Sequence, residues 1–233
     1  LWERGLIAPG RAADIVLTES IEHFRARLTM VNGEIVAQDG ECLWEAPAHD
    51  VMAGMTNTVH LSTQMPADFS VQTPVTEGEV EINVIDCVPG QTLVTLGKGR
   101  VSIREGRVQF PAGDDLAFIA VVGRHESNSG RRVIGVVRGL GITAGALATT
   151  YAHDSHNLVV IGHTPEAMAR AANAAIEAGG GLAVVDDIQV LSVFPLPVCG
   201  IISDRPVAEV AEGIHRIGVG LEQIGLEHPH WLM

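Results

Sequence analysis

The sequence predicts a mixed fold of the α+β and α/β classes, in which antiparallel strands are followed by a mixed-sheet C-terminal domain with a strand-helix-strand unit. Two observations carry this prediction. Short apolar segments bounded by turn residues recur between residues 14 and 137, as is typical of antiparallel sheets. Beyond them, apolar runs at 158–161 and 182–185 flank a helical pattern, which indicates two buried strands joined by a helix.

The first 45 residues have the pattern of short strands. Apolar residues recur at 14–18, 28–31 and 34–38, and Asn32-Gly33 separates the last two segments. Asn-Gly between two apolar runs is the strongest short-range hairpin signal, because both residues tolerate a left-handed backbone. We therefore predict an antiparallel hairpin here.

Residues 46–78 contain three prolines and little periodicity, which predicts an irregular connector. From residue 79 onwards Val80, Ile82 and Val84 alternate with polar residues, as expected of a half-buried strand. The same criteria predict further strands at 92–96, 101–104, 107–110, 117–122 and 132–137.

A helix is predicted after the strand at 158–161. Thr164 is a favourable N-cap and Pro165 suits the first turn. Apolar residues then recur on one helical face: Met168, Ala171, Ala172, Ala175 and Ile176. The triple glycine at 179–181 is expected to end this helix before the strand at 182–185.

A last helix is predicted after Asp204, which is a suitable N-cap. Its apolar face consists of Val207, Val210, Ala211, Ile214, Ile217 and Leu221. Gly213, Gly218 and Gly220 each weaken a helix by about 1 kcal/mol relative to alanine. Either close packing against a neighbour compensates, or the helix ends near Gly218.

Composition excludes several functional classes. The chain has 233 residues, of which 46% are hydrophobic and 4% aromatic, and its formal net charge is −13. An acidic protein is repelled by phosphate backbones and anionic membranes, and few aromatic residues are present to stack on bases, so we expect no nucleic acid and no membrane as partner. Three widely spaced cysteines without a paired motif favour a reducing, cytoplasmic location.

A dense polar cluster directly precedes the strand at 158–161. It consists of His153, Asp154, Ser155, His156 and Asn157. Such residues are costly to bury without partners, so the cluster is either a satisfied structural network or the lining of a site. In the second case Asp154 fixes the tautomer of a neighbouring imidazole, and Asn157 satisfies backbone groups or a purine edge.

Arg124 and His125 are candidate substrate-binding residues that would join this cluster if the strand at 117–122 lies beside the strand at 158–161. The alternative is that they form a surface ion pair. Gly139, Gly141 and Gly145 lack the remaining features of a dinucleotide fingerprint, and we interpret them as residues of a tight turn with close packing.

No metal ligand is assigned to this chain. His153 and His156 would share a face only in a helix, whereas the sequence after them favours a strand. His228-Pro-His230 has neither a preceding strand nor further ligands, and we interpret it as a surface tail.

The N-terminal block resembles the segment that follows the barrel in the amidohydrolase superfamily. The resemblance lies in Gly5-Leu-Ile-Ala-Pro-Gly-Arg-Ala-Ala-Asp-Ile-Val-Leu17 and in the hairpin Val31-Asn-Gly-Glu-Ile-Val-Ala37. It implies that residues 1–45 are part of a small β-sandwich, with a connector at 46–78 and an α/β domain at 79–233. The chain begins at Leu1, and we expect it to be a piece of a longer polypeptide.

Six ordered motifs resemble the C-terminal region of bacterial adenine deaminases. They are Arg124-His125, Gly139-Leu-Gly-Ile-Thr-Ala-Gly-Ala-Leu-Ala148, Ala152-His-Asp-Ser-His-Asn157, Gly179-Gly-Gly181, Pro195-Leu-Pro-Val198 and Gly200-Ile-Ile-Ser-Asp204. Two departures accompany them. Gly123 stands where the family usually has glutamate before the Arg-His pair, which puts a role for that glutamate in doubt, and the family continues beyond the equivalent of Met233, so a further tail is expected.

This resemblance implies a C-terminal portion of an enzyme that hydrolyses adenine to hypoxanthine and ammonia in purine salvage. Superfamily enzymes use metal-activated hydroxide for the attack. The resemblance thus implies manganese or iron held by a barrel outside this chain, adenine and the barrel as partners, and a homo-oligomer. The alternatives are a non-catalytic interaction module and an amidohydrolase acting on another purine or a cyclic amide.

Overall fold

The computed structural model describes residues 2–45, 54–88, 93–111, 114–125 and 127–226. It divides into two compact units, Leu1–Asp50 and Val51–Met233. The described residues form one four-stranded antiparallel sheet, one nine-stranded mixed sheet and two α-helices, which confirms the predicted mixed fold class.

The first unit contains the four-stranded sheet, in the order β1-β2-β3-β4. Its strands are β1 (Ile15–Thr18), β2 (Ala26–Val31), β3 (Glu34–Gln38) and β4 (Glu41–Cys42). The predicted hairpin is confirmed, since Asn32 and Gly33 have φ angles of 51° and 86° between β2 and β3. None of the described residues 2–45 is fully buried, so this sheet has no core of its own.

The second unit is organised around the nine-stranded sheet, in the order β13-β12-β10-β11-β8-β9-β5-β6-β7. Its strands are β5 (Glu77–Cys87), β6 (Val94–Arg104), β7 (Arg107–Gln109), β8 (Leu116–Val122), β9 (Arg132–Arg138), β10 (Ala146–Thr149), β11 (Leu158–Gly162), β12 (Gly181–Val185) and β13 (Val190–Pro195). β5 and β9 pair in parallel, and every other neighbouring pair is antiparallel.

Three of these strands differ from the sequence prediction: β6 was predicted as two strands, and β10 and β13 were not predicted. Residues 94–96 and 101–104, predicted to lie in two separate strands, belong to one continuous strand, β6, and position 92 lies outside the described residues. Gly97 and Gly99 stay in the strand because Asp86 and Val84 fill the space above them, and a Cβ on Gly99 would lie 2.7 Å from Val84 Cγ2. β10 was not predicted, because its two alanines give a weak strand signal although all four residues are buried.

The described part of the segment before β5, from residue 54 onward, contains one short 3-10 helix, Pro66–Phe69. The Phe69 ring is fully buried in the core of the second unit. Gln64 is also buried, and its backbone exchanges two hydrogen bonds with the Asn173 side chain: Gln64 N donates to Asn173 Oδ1 over 2.8 Å and Asn173 Nδ2 donates to Gln64 O over 2.9 Å.

Helix α1 (Pro165–Glu177) joins β11 to β12, which confirms the strand-helix-strand unit. Thr164 is its N-cap, and the Ala167 amide donates to Thr164 Oγ1 over 3.2 Å. β11 and β12 do not pair with each other, because β10 lies between them and pairs with both. The buried face of α1 carries Ala167, Met168, Ala169, Ala171, Ala172 and Ala175.

Helix α2 (Val207–Gln223) continues past Gly218, so close packing compensates for its glycines. A Cβ on Gly213 would lie 2.5 Å from Phe194 Cε2, which means that the Phe194 ring occupies that space. The predicted cap is wrong: Pro206 holds the N-cap position, and no side chain caps the helix. No helix among the described residues is long and apolar enough to span a membrane.

Two glycines of α2 provide a matched test of this packing. Gly213→Ala forces the buried Phe194 ring to move, so we expect a loss of about 1–3 kcal/mol in the free energy of unfolding. A Cβ on Gly220 meets Val184 at an ordinary 3.4 Å, so Gly220→Ala is expected to be neutral or to stabilise by up to about 1 kcal/mol. Urea denaturation of both variants checks this, and equal effects would contradict it.

The turn between β12 and β13 is fixed by Asp186. Its Oδ1 accepts hydrogen bonds from Gln189 N over 2.6 Å and from Ile188 N over 2.7 Å. These two bonds favour the carboxylate and lower the pKa of Asp186 below its usual 3.8. A group whose pKa is depressed in the folded state stabilises the fold above its unfolded pKa, and this contribution is lost as the pH falls through the folded pKa.

We therefore expect Asp186→Asn to flatten the acid limb of the stability curve. The wild-type protein should lose stability more steeply than the variant below pH 3.8, because only the wild-type carboxylate takes up a proton there. Urea denaturation across a pH series measures both curves. Parallel curves for the two proteins would contradict this role.

Candidate functional site

The candidate site lies at one edge of the nine-stranded sheet. β8 pairs with β11 in the antiparallel direction, and Val122 at the end of β8 lies opposite Leu158 at the start of β11. Arg124 and His125 therefore meet the polar cluster, as the sequence predicts for neighbouring strands. The C-terminal end of β10 and the N-terminal end of β12 lie at the same edge, since Thr149 pairs with both Val159 and Leu182.

The polar cluster forms a turn that presents two of its side chains to solvent. The amides of Ser155 and His156 both donate to Ala152 O, over 3.1 and 2.6 Å. The side chains of His153 and Asp154 are 74% and 94% exposed, and His153 Nε2 lies 3.5 Å from Asp154 Oδ1. Because the segment is a turn and not a helix, His153 and His156 do not share a helical face.

Arg124 is the buried centre of the site, with only 8% of its surface exposed. Its backbone amide donates to Asn157 Oδ1 over 3.3 Å, and its Nε donates to the carbonyl oxygen of His156. Its Nη2 donates to the carbonyl oxygen of Cys199 over 2.9 Å. Arg124 thus connects β8, the polar turn and the segment after β13.

The surface ion pair considered for Arg124 and His125 is wrong for Arg124, which does not lie at the surface. Arg124 is buried and forms no salt bridge with any described acidic residue, and burial lowers its pKa below the usual value of a guanidinium. His125 is exposed, and its Nε2 lies 3.2 Å from Ser155 O. Gly123 leaves no room for a side chain, because a Cβ there would lie 2.7 Å from Asn128 Oδ1.

The segment after β13 completes the site, and sequence reasoning missed it. Cys199 has a left-handed backbone with a φ of 54°, and its amide donates to Met55 O over 2.6 Å. Thr150, fully buried, donates from Oγ1 to Gly200 O over 2.5 Å and accepts from Gly181 N over 2.8 Å. The sequence signals here were the motifs at 195–198 and 200–204, which point to no chemistry by residue type.

An apolar groove of about 390 Å³ adjoins the polar turn. Tyr151, at the end of β10, is 40% exposed and lines the groove together with Leu196, Ile201 and Ile202. The glycines at 139, 141 and 145 all have positive φ angles in a closely packed turn, as predicted, and contribute no side chain to this edge.

Metal ligands do not assemble here. The described residues contain no group of three or more His, Cys, Asp or Glu side chains placed to hold a metal ion. His228-Pro-His230 lies outside the described residues. What the site offers chemically is an exposed imidazole and carboxylate beside an apolar groove, both carried by a turn that a buried guanidinium holds.

Two substitutions should separate the buried and exposed halves of the cluster. Asn157→Ala removes the acceptor of the Arg124 amide, and a buried donor without a partner costs about 1–3 kcal/mol. Asp154→Ala removes a side chain that is 94% exposed, so we expect a change within about 0.5 kcal/mol. Thermal and urea denaturation check this, and equal losses in the two variants would contradict the division.

Comparison with known proteins identifies related sequences along nearly the whole chain. The family described as "Adenine deaminase C-terminal domain" matches residues 91–233. Adenine deaminase 2 of Rhizobium meliloti (strain 1021) is 40% identical over 229 residues, which cover 98% of this chain and 37% of that protein.

Two further relatives give the same result. Adenine deaminase of Roseobacter denitrificans is 41% identical over 211 residues, covering 90% of this chain and 35% of that protein. Adenine deaminase of Moorella thermoacetica is 37% identical over 222 residues, covering 95% of this chain and 37% of that protein. The chain therefore spans little more than a third of the length of these relatives.

Proposed function

Because this chain belongs to the adenine deaminase C-terminal domain family, we propose that it is the C-terminal portion of an adenine deaminase, a hydrolase that converts adenine to hypoxanthine and ammonia in purine salvage. The observation that carries the proposal is the similarity to proteins named adenine deaminase over 90–98% of the chain.

The catalytic metal, manganese or iron, belongs to the barrel of the complete enzyme. The described residues bring together no trio of metal ligands, so they do not fit such an ion. The contribution of this chain is to brace and cap the barrel opening. The exposed polar turn supports this role, because His153 and Asp154 project from a rigid sheet edge and use little of their hydrogen-bonding capacity within the chain.

The four-stranded sheet of the first unit is completed by further strands of the complete enzyme. Apolar side chains on its strands remain about half exposed, among them Val16 at 52%, Leu17 at 53% and Ile35 at 46%. A sheet that buries no residue is not independently stable in water, which supports a sandwich partner outside this chain.

The complete enzyme is a homo-oligomer of the cytoplasm. The described cysteines, Cys42, Cys87 and Cys199, are all unpaired, which agrees with a reducing compartment. Adenine and the catalytic barrel are further partners of this chain. Its acidic net charge of −13 argues against nucleic acid and anionic membranes as partners.

Comparison of the complete enzyme with this chain alone tests the proposal. We expect the complete enzyme, loaded with manganese or iron, to release ammonia from adenine, and this chain alone to release none, because the described residues hold no metal site. Ammonia release and metal content are measured on both proteins under identical conditions.

Two outcomes would contradict the assignment. Deamination of adenine by this chain alone would locate the chemistry within it. If the complete enzyme turned over another purine or a cyclic amide but not adenine, the proposed substrate would be wrong.

A further inference from the structure

Left-handed backbone conformations concentrate at the candidate site. The described residues of the second unit include four non-glycine residues with positive φ, namely Asn57, Glu105, His156 and Cys199. Glu105 lies in the tight turn between β6 and β7. The other three converge on one place, because Asn57 follows Thr56, which pairs with Val198, and Arg124 contacts both His156 and Cys199.

Arg124 joins the two left-handed turns directly. Its Nε donates to the carbonyl oxygen of His156, whose φ is 50°, and its Nη2 donates to that of Cys199, whose φ is 54°. Non-glycine residues adopt this backbone at a cost and keep it only where surrounding contacts fix it, and such positions cluster at functional sites. One guanidinium supplies a fixing contact to both.

The atoms around this guanidinium are closely packed. A Cβ on Gly200 would lie 3.2 Å from Arg124 Nη1, and a Cβ on Gly180 would lie 2.6 Å from Gly200 Cα. Burying the charge of Arg124 without an acidic partner among the described residues costs free energy. The planar guanidinium can donate to two carbonyl oxygens at once, which a lysine ammonium does less well.

We propose that Arg124 is a positioning residue of the complete enzyme: by bridging the carbonyls of His156 and Cys199 it fixes the polar turn 152–157 against the segment 198–202. The surface that carries His153, Asp154 and Tyr151 is thereby held in one geometry toward the barrel. This inference rests on the proposed function, and it assigns Arg124 to orientation rather than to substrate contact.

The test uses the complete enzyme with three substitutions. Arg124→Met keeps an unbranched side chain that reaches about as far as Nε but donates no hydrogen bond, and Arg124→Lys keeps the charge but cannot span both carbonyls in a fork. Asn173→Ala is the control for general loss of stability, because Asn173 hydrogen-bonds the Gln64 backbone and not either turn. Each variant is characterised by kcat and KM for adenine, by melting temperature, and by hydrogen exchange of the peptide covering 151–157.

We expect kcat to fall about tenfold or more in Arg124→Met, because a small misplacement of an active-site element has effects of this size, and to fall less in Arg124→Lys. KM should change little. Amides of the 151–157 peptide should exchange faster in both Arg124 variants and at the wild-type rate in Asn173→Ala. In a fourth variant, Arg124→Ala, added ethylguanidinium should raise kcat, whereas it should leave the kcat of Asn173→Ala unchanged.

Unchanged exchange of the 151–157 peptide in Arg124→Met would overturn the inference. The inference would also be overturned if Asn173→Ala lost as much kcat as Arg124→Met while having the same melting temperature as Arg124→Met. If the wild-type complete enzyme fails to deaminate adenine, the proposed function falls, while the exchange measurement still decides whether Arg124 holds the turn.

Discussion

The antiparallel pairing of β8 with β11 is the constraint on which the candidate site depends. Val122 lies opposite Leu158, so Arg124 and Asn157, which flank these two strand ends, are brought within hydrogen-bond distance of each other. A slip of one residue in this register would reverse the direction of every side chain on β11. The register is secured because Val122, Leu158 and Val160 are buried in the same core.

The candidate site combines two kinds of residue that the sequence does not distinguish. Arg124 and Asn157 are tied into the fold by hydrogen bonds to backbone groups, and the loss of a buried partner costs about 1–3 kcal/mol. The contact between His153 and Asp154 is exposed at both ends, and such pairs contribute between about 0 and 1 kcal/mol. The fold therefore gains little from His153 and Asp154, which remain available for function.

The predictions that held were those in which local and tertiary preferences agree. Helix α1 combines an N-cap at Thr164 with a regular apolar face, and the hairpin at Asn32-Gly33 needs only the local backbone preference. The failures have tertiary causes. In the sequence, Gly97 and Gly99 indicate a break in a strand. The structure shows that the strand continues through them because Asp86 and Val84 fill the space above them.

By itself the sequence determined the mixed fold class, the strand-helix-strand unit, the polar cluster before β11 and the resemblance to adenine deaminases, because these are carried by periodicity and by contiguous motifs. Only the tertiary structure decided that Arg124 is buried and that it connects His156 to Cys199. Cys199 lies 75 residues after Arg124 in the chain. The local sequence pattern does not predict such contacts, because they arise from the order of strands in the sheet. β10 lies between β11 and β12, and this order brings the segments that form the site to one edge of the sheet.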